Sequence, residues 1–100
     1  MGWVKEALKE LEEFGQCTIR PYGGSMKGRI ESGQLVTIEK IASKEIKVND
    51  AVFVRWKENY LLHLIKEIEE DRVLIGNNLG KVNGWVLLND VLGKVVKVED

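Results

Sequence analysis

Hydrophobic residues near the start of the chain recur every three or four positions. Trp3, Val4, Ala7, Leu8, Leu11 and Phe14 fall on one stripe of a helix, and Lys5, Glu6, Lys9, Glu10, Glu12 and Glu13 cover the other side. The spacing predicts an amphipathic helix over 3–14, closed by Gly15. Its polar face carries two lysines against four glutamates, so an anionic membrane would repel it. Packing on the domain itself, or on a partner, is the expected role.

Beyond Gly15 the pattern changes to short apolar runs rich in β-branched and aromatic residues, separated by turn signals. Cys17-Thr18-Ile19 predicts a short strand ending at Pro21, followed by the glycine-rich loop 22–28. Ser32-Gly33 turns into a strand over Leu35–Ile38, and Asn49-Asp50 precedes a strand from Ala51 to Trp56. Lys57-Glu58-Asn59 reads as a hairpin turn into a long strand, Tyr60 to Ile68. Glu69-Glu70-Asp71 turns the chain into Arg72–Ile75, and 76–84 reads as a polar loop. Trp85–Leu88 and Val91–Val98 are the last strands, with a turn or bulge at Asn89-Asp90. Strands this densely spaced predict one mostly β domain over 1–100. The expected architecture is a coiled antiparallel sheet or small barrel, with the helix as an N-terminal addition. The absence of βαβ alternation argues against a parallel nucleotide-binding sheet.

Composition narrows the function. With 100 residues, 44% hydrophobic and 31% charged, the chain is an ordinary single folded domain. Its net charge of −1 is spread along both halves without a basic stripe, so no direct nucleic-acid contact is expected. One cysteine, Cys17, cannot form an internal disulfide, and with a single histidine there is no Cys/His zinc set. Cys17 reads as a small core residue, and neither metal nor cofactor is expected. No apolar run approaches the roughly 20 residues of a membrane span, and Lys5 and Glu6 stand where a signal peptide would be apolar. The expected compartment is the cytoplasm.

Two residues remain as candidate chemistry. Ser25 follows Gly23 and Gly24, which let the backbone approach a substrate closely and aim N–H groups at a carbonyl oxygen. His63 lies in the apolar strand Leu61-Leu62-His63-Leu64-Ile65, where alternation groups Leu61, His63 and Ile65 on one face and Tyr60, Leu62, Leu64 and Lys66 on the other. Taken singly, a glycine-loop serine is a turn residue and a strand histidine a core residue. A serine hydroxyl is a poor nucleophile until a neighbour accepts its proton, and a neutral imidazole can do that at pH 7. Lys66, the alternative base, has the opposite strand parity.

The order of the segments resembles the signal-peptidase and repressor-autopeptidase superfamily of serine peptidases, over about Tyr22 to Val98. The serine box is matched by Gly23-Gly24-Ser25-Met26-Lys27-Gly28-Arg29-Ile30, and the next two turn-strand pairs by Gly33-Gln34-Leu35-Val36 and Asn49-Asp50-Ala51-Val52. The base strand is matched by Leu62-His63-Leu64-Ile65, the following loop by Gly76-Asn77-Asn78, and the closing strand by Val91-Leu92-Gly93-Lys94-Val95-Val96. The resemblance implies Ser25 as nucleophile and His63 as base, as in the histidine branch. It also implies Gly23, Gly24 and Met26 as the oxyanion and substrate-binding loop. Asn77 or Asn83 would orient the imidazole where the family has aspartate, with Asp71 and Asp90 as other sources of charge. Gly28 replaces the family's proline, which loosens the loop, and Leu64 replaces an arginine.

Two readings follow. One is an endopeptidase that cleaves extended peptide or protein substrates, held as an added strand, with a Ser-His dyad. The other is a catalytically degenerate peptide-binding or dimerisation module of the same fold, in which edge strands pair into a homodimer.

Overall fold

The computed structural model describes residues 2–40 and 45–100, with side chains in the first helix described from Val4 onward. Helix α1 spans Gly2–Phe14. It ends where the Gly15 N–H donates to the Leu11 carbonyl at 3.0 Å, and the Gly15 carbonyl accepts from Lys40 N–H at 2.8 Å. Val4, Ala7 and Leu11 are buried, whereas Phe14, expected on the same stripe, is 74% exposed. The Trp3 side chain of that stripe lies outside the described side chains. The helix thus packs on the domain, with Ala7 and Leu11 in its core.

Seven strands follow: β1 (Gln16–Ile19), β2 (Leu35–Glu39), β3 (Ala51–Trp56), β4 (Asn59–Glu69), β5 (Arg72–Gly76), β6 (Val82–Leu87) and β7 (Val91–Glu99). A 3-10 turn over Leu88–Asp90 stands where a turn or bulge at Asn89-Asp90 is expected before β7. The strands form one antiparallel sheet in the order β1-β2-β7-β3-β4-β5-β6. The last strand therefore lies between β2 and β3 and joins the two halves of the chain. The order leaves β1 and β6 as edges, so the sheet is open.

Register shifts interrupt four of the ladders, at Thr37/Ile38, Phe53/Val54, Ile65/Glu67 and Ile75/Gly76. Such bulges bend strands and increase their twist. The bending is visible between β3 and β6, which are not neighbours in the sheet. The Trp56 ring lies against Gly84, where an added Cβ would sit 2.9 Å from its Cη2.

Coiling gives the sheet two apolar clusters. Ala51 and Phe53 of β3 join Ala7, Leu11, Met26, Ile30 and Leu64 in one. Val52 and Val54, on the opposite face by strand alternation, join Ile65, Val73, Ile75 and Val86 in the other. β3 is consequently buried on both faces from Ala51 to Val54, which is why it reads as an unbroken apolar run. Each fully buried valine or isoleucine stabilises by about 1.5–3 kcal/mol relative to its exposed form. Among the described residues no helix is long and apolar enough to cross a membrane.

Candidate active site

The serine loop is exposed at its tip and anchored behind it. Ser25 is exposed, while its neighbour Met26 and, one turn on, Ile30 are buried in the α1-side cluster. Backbone bonds from Lys27 N–H to Gly24, and from Arg29 and Ile30 N–H to Met26, wind 24–30 into successive tight turns. The Gly23 N–H donates to Ser32 Oγ at 3.1 Å and the Gly28 N–H to Glu31 Oε2 at 2.8 Å.

A second loop clamps the first. Asn78 donates its backbone N–H to the Ser25 carbonyl at 2.9 Å and its Nδ2 to the Lys27 carbonyl at 2.8 Å. Gly28, the residue standing in for proline, has φ +98°, and a Cβ there would lie 2.9 Å from Asn78 Nδ2. Proline is confined to φ near −65° and cannot adopt this conformation. Gly28 therefore fits the clamped loop and does not loosen it, contrary to the expectation from its sequence.

His63 sits opposite Val52 in the β3–β4 ladder and is 7% exposed. Burial lowers its pKa below the ordinary imidazole value. Asn83 opposes that shift, and the positive charges of Lys81 and Lys66 reinforce it. The imidazole is accordingly neutral at pH 7, the form a proton acceptor requires. Register explains these neighbours: Leu64 pairs with Gly76 and Gly76 with Val82, which brings His63 alongside the β5–β6 connection.

His63 Nδ1 and Asn83 Oδ1 are both buried, and neither has a hydrogen-bond partner of good geometry. Asn83 nonetheless lies close enough to the ring to favour its charged form. Asn77, the other residue expected to orient the ring, is committed elsewhere. Its Oδ1 accepts from Leu79 N–H and Lys81 N–H, both at 2.9 Å, and holds the loop closed. Among the described residues no carboxylate contributes to the His63 shift, and Asp90 is bound to Arg55 at 2.9 Å.

Lys66 departs from the simple alternation read in the sequence. It is the extra residue of the Ile65/Glu67 bulge, so its parity is reset, and its charge reaches His63. Cys17 is buried as expected, and burial, aided by the Glu10 carboxylate, pushes its thiol pKa up to about 11. It remains a protonated core thiol and not a nucleophile.

Ser25 and His63 line one cavity of about 620 Å³, together with Tyr22, Gly23, Met26 and Tyr60. Its β4 side is an open strand edge. β4 pairs with β3 from Asn59 to Leu64 but with β5 only from Leu64 onward. The Ile65 N–H donates to Asp50 and its carbonyl accepts from Asn49, so Ile65 points its peptide groups toward the β3 side. Alternation then turns the peptide groups of Tyr60 and Leu62 toward the unpaired edge.

Among the described residues no group of three or more His, Cys, Asp or Glu could hold a metal ion. Comparison with protein-family profiles, with curated proteins and with solved structures finds no match to this chain.

Proposed function

We propose that this chain is a serine endopeptidase domain of the signal-peptidase and repressor-autopeptidase kind, in its histidine-base form. The observation that carries the reading is the shared cavity: Ser25, exposed on a clamped glycine loop, and His63, whose buried imidazole is neutral, are both lining residues of one cleft. Ser25 Oγ attacks the scissile carbonyl while His63 takes its proton. Nδ1 is the ring atom turned into the protein, which leaves Nε2 as the acceptor. The imidazolium then returns the proton to the leaving amine, and water repeats the cycle on the acyl-enzyme. The Ser25 N–H is the nearest backbone candidate for stabilising the oxyanion.

The substrate is an extended peptide. Its main chain adds to the free edge of β4, where Tyr60 and Leu62 offer N–H and C=O groups, as in other strand-addition modes.

A second reading is favoured by one feature, the amide in place of a carboxylate at Asn83. An amide can align the ring, but it stabilises the imidazolium less than an aspartate would. On that reading the same cleft binds peptide, or a second copy of the chain, without cleaving it.

Labelling with an alkyl diphenylphosphonate separates the two. An activated Ser25 gives a covalent adduct that Ser25→Ala and His63→Ala abolish. Equal labelling of wild type and Ser25→Ala would end the peptidase reading, and peptide binding without labelling would leave the binding module.

A further inference from the structure

Asn83-Gly84 is the only asparagine in the chain that glycine follows, and it lies beside the candidate base. Glycine is the neighbour that least hinders attack by its own backbone nitrogen on an asparagine side chain, because it has no Cβ to block the approach. A regular strand suppresses this chemistry by holding both residues in its ladder. Asn83 stands outside the ladder. Gly84 pairs with Ile75 and Val82 with Gly76, so Asn83 is the extra residue of a bulge, without a partner on β5. Its side chain is not tied down either, since Oδ1 has no hydrogen-bond partner. By contrast, Asn77 Oδ1 accepts two backbone N–H groups and Asn78 Nδ2 holds the Lys27 carbonyl.

We infer that Asn83-Gly84 is a self-modification site, at which the Asn83 amide is lost to leave an aspartate beside His63, turning the dyad into a serine-histidine-aspartate triad. The gain in reactivity rests on the reading of Ser25 and His63 as a catalytic pair, whereas the deamidation does not. Register places the new carboxylate where the base needs it. Leu64, next to His63, pairs with Gly76, and Gly76 pairs with Val82, next to Asn83. The unbonded His63 Nδ1 is the ring atom a carboxylate there would meet.

The reaction needs only water. The Gly84 nitrogen bonds to Asn83 Cγ and gives up its proton, and Nδ2 leaves as ammonia. Water then adds across the new Cγ–N bond of the cyclic imide, placing hydroxyl on Cγ and a proton back on the Gly84 nitrogen. One water is consumed, one ammonia is released, and the main chain is restored. Opening at the other carbonyl would leave isoaspartate, lengthening the main chain by one atom and displacing the ladder that Gly84 to Leu87 form with β5. Glycine at position 84 is also required by packing, because a Cβ there would meet Trp56 Cη2 at 2.9 Å. Removing the glycine would therefore disturb the fold, and the test follows the unaltered chain.

The whole protein is aged at pH 8 in water enriched in oxygen-18, folded in one sample and unfolded in urea in another, and digested with trypsin. The peptide 82–94 carries both Asn83 and Asn89, so Asn89, which precedes Asp90, is the internal control. Fragmentation in the mass spectrometer locates the isotope and separates aspartate from isoaspartate. The folded protein should gain one oxygen-18 at position 83, chiefly as aspartate, while Asn77, Asn78 and Asn89 keep their amides. The His63 resonance should move to a higher titration midpoint as the aspartate accumulates. Phosphonate labelling should rise with it toward the rate of Asn83→Asp, at least about tenfold above fresh protein. An amide retained at 83 in the folded sample, when the unfolded one has lost it, overturns the inference, as does a product that is mostly isoaspartate. Aspartate at 83 with both the His63 titration and the labelling unchanged also overturns it. Aspartate with a raised His63 midpoint, but no adduct in fresh, aged or Asn83→Asp protein, keeps the modification site and removes the peptidase.

Discussion

The backbone N–H of Asn78 holds the carbonyl oxygen of Ser25 at 2.9 Å, so the residue that carries the candidate nucleophile is fixed by a loop more than fifty positions later in the chain. The Asn78 side chain repeats the tie one step on, to the Lys27 carbonyl at 2.8 Å. Asn78→Ala keeps the backbone bond and removes only the second tie. It should destabilise the domain by about 1 kcal/mol, a fall of about 4–8 °C in thermal midpoint for a domain of this size. Phosphonate labelling should slow as well, because the serine loop loses half of its clamp. An unchanged midpoint by differential scanning calorimetry would show that the side-chain bond contributes nothing.

Gly28 is the other half of that contact. Its φ of +98° disfavours any L side chain, and a new Cβ would meet Asn78 Nδ2 at 2.9 Å. Gly28→Ala should therefore destabilise by about 1–2 kcal/mol. The obstructing atom is the end of a flexible side chain, so part of the loss is relieved when that chain is removed. In a double-mutant cycle, Gly28→Ala/Asn78→Ala should lose less than the sum of the single variants. Strict additivity would assign the whole effect to backbone conformation.

His63 is the only histidine, so its titration can be followed by a single imidazole resonance. Burial lowers its pKa in the folded protein, and the Lys81 and Lys66 charges act in the same sense. The unfolded chain therefore binds a proton at a higher pH than the folded one. The stability contributed by neutral, buried His63 is complete above the unfolded value of about 6.5 and is lost as pH falls through the folded pKa. NMR should show the resonance titrating below pH 6.5, and urea midpoints should fall over the same interval more in wild type than in His63→Gln. Serine labelling should rise with pH through that same midpoint and then level off. A titration midpoint above 6.5 would contradict the burial argument.

Periodicity alone carries much of this fold. The three-four spacing over 3–14 and the runs 51–56 and 91–98 correspond closely to α1, β3 and β7. What it could not carry is the placement of β7 between β2 and β3, because strand order depends on long-range contacts that leave no local pattern. Lys66 illustrates a second limit. Its parity was read by counting twos along β4, and a single bulged residue resets that count. At the candidate site, Ser25 and His63 stood out by residue type, but the supporting residues did not. Asn83 fell in a stretch read as loop because Asn and Gly surround it, although β6 begins at Val82. Asn77 and Asn78 are adjacent and chemically identical, and only the fold separates the one that closes its own loop from the one that clamps the serine.

Asn83 is the position where one atom should change the chemistry. Its Oδ1 and His63 Nδ1 are both buried and unpartnered, and an amide supports the charged ring less than a carboxylate would. Asn83→Asp supplies a full negative charge at nearly the same shape. A carboxylate beside the ring favours imidazolium and fixes the tautomer with hydrogen on Nδ1, leaving Nε2 free for the serine proton. The His63 midpoint should therefore move up relative to wild type, and phosphonate labelling at pH 7.5 should accelerate by at least about tenfold. Burying a charge has its own penalty, which Lys81 and Lys66 offset in part through the same positive field that lowers the His63 pKa. A merely structural role for Asn83 would change the thermal midpoint and leave the imidazole titration where it was. Should the His63 resonance titrate unchanged in a folded Asn83→Asp variant, Asn83 would not be the group that positions the base.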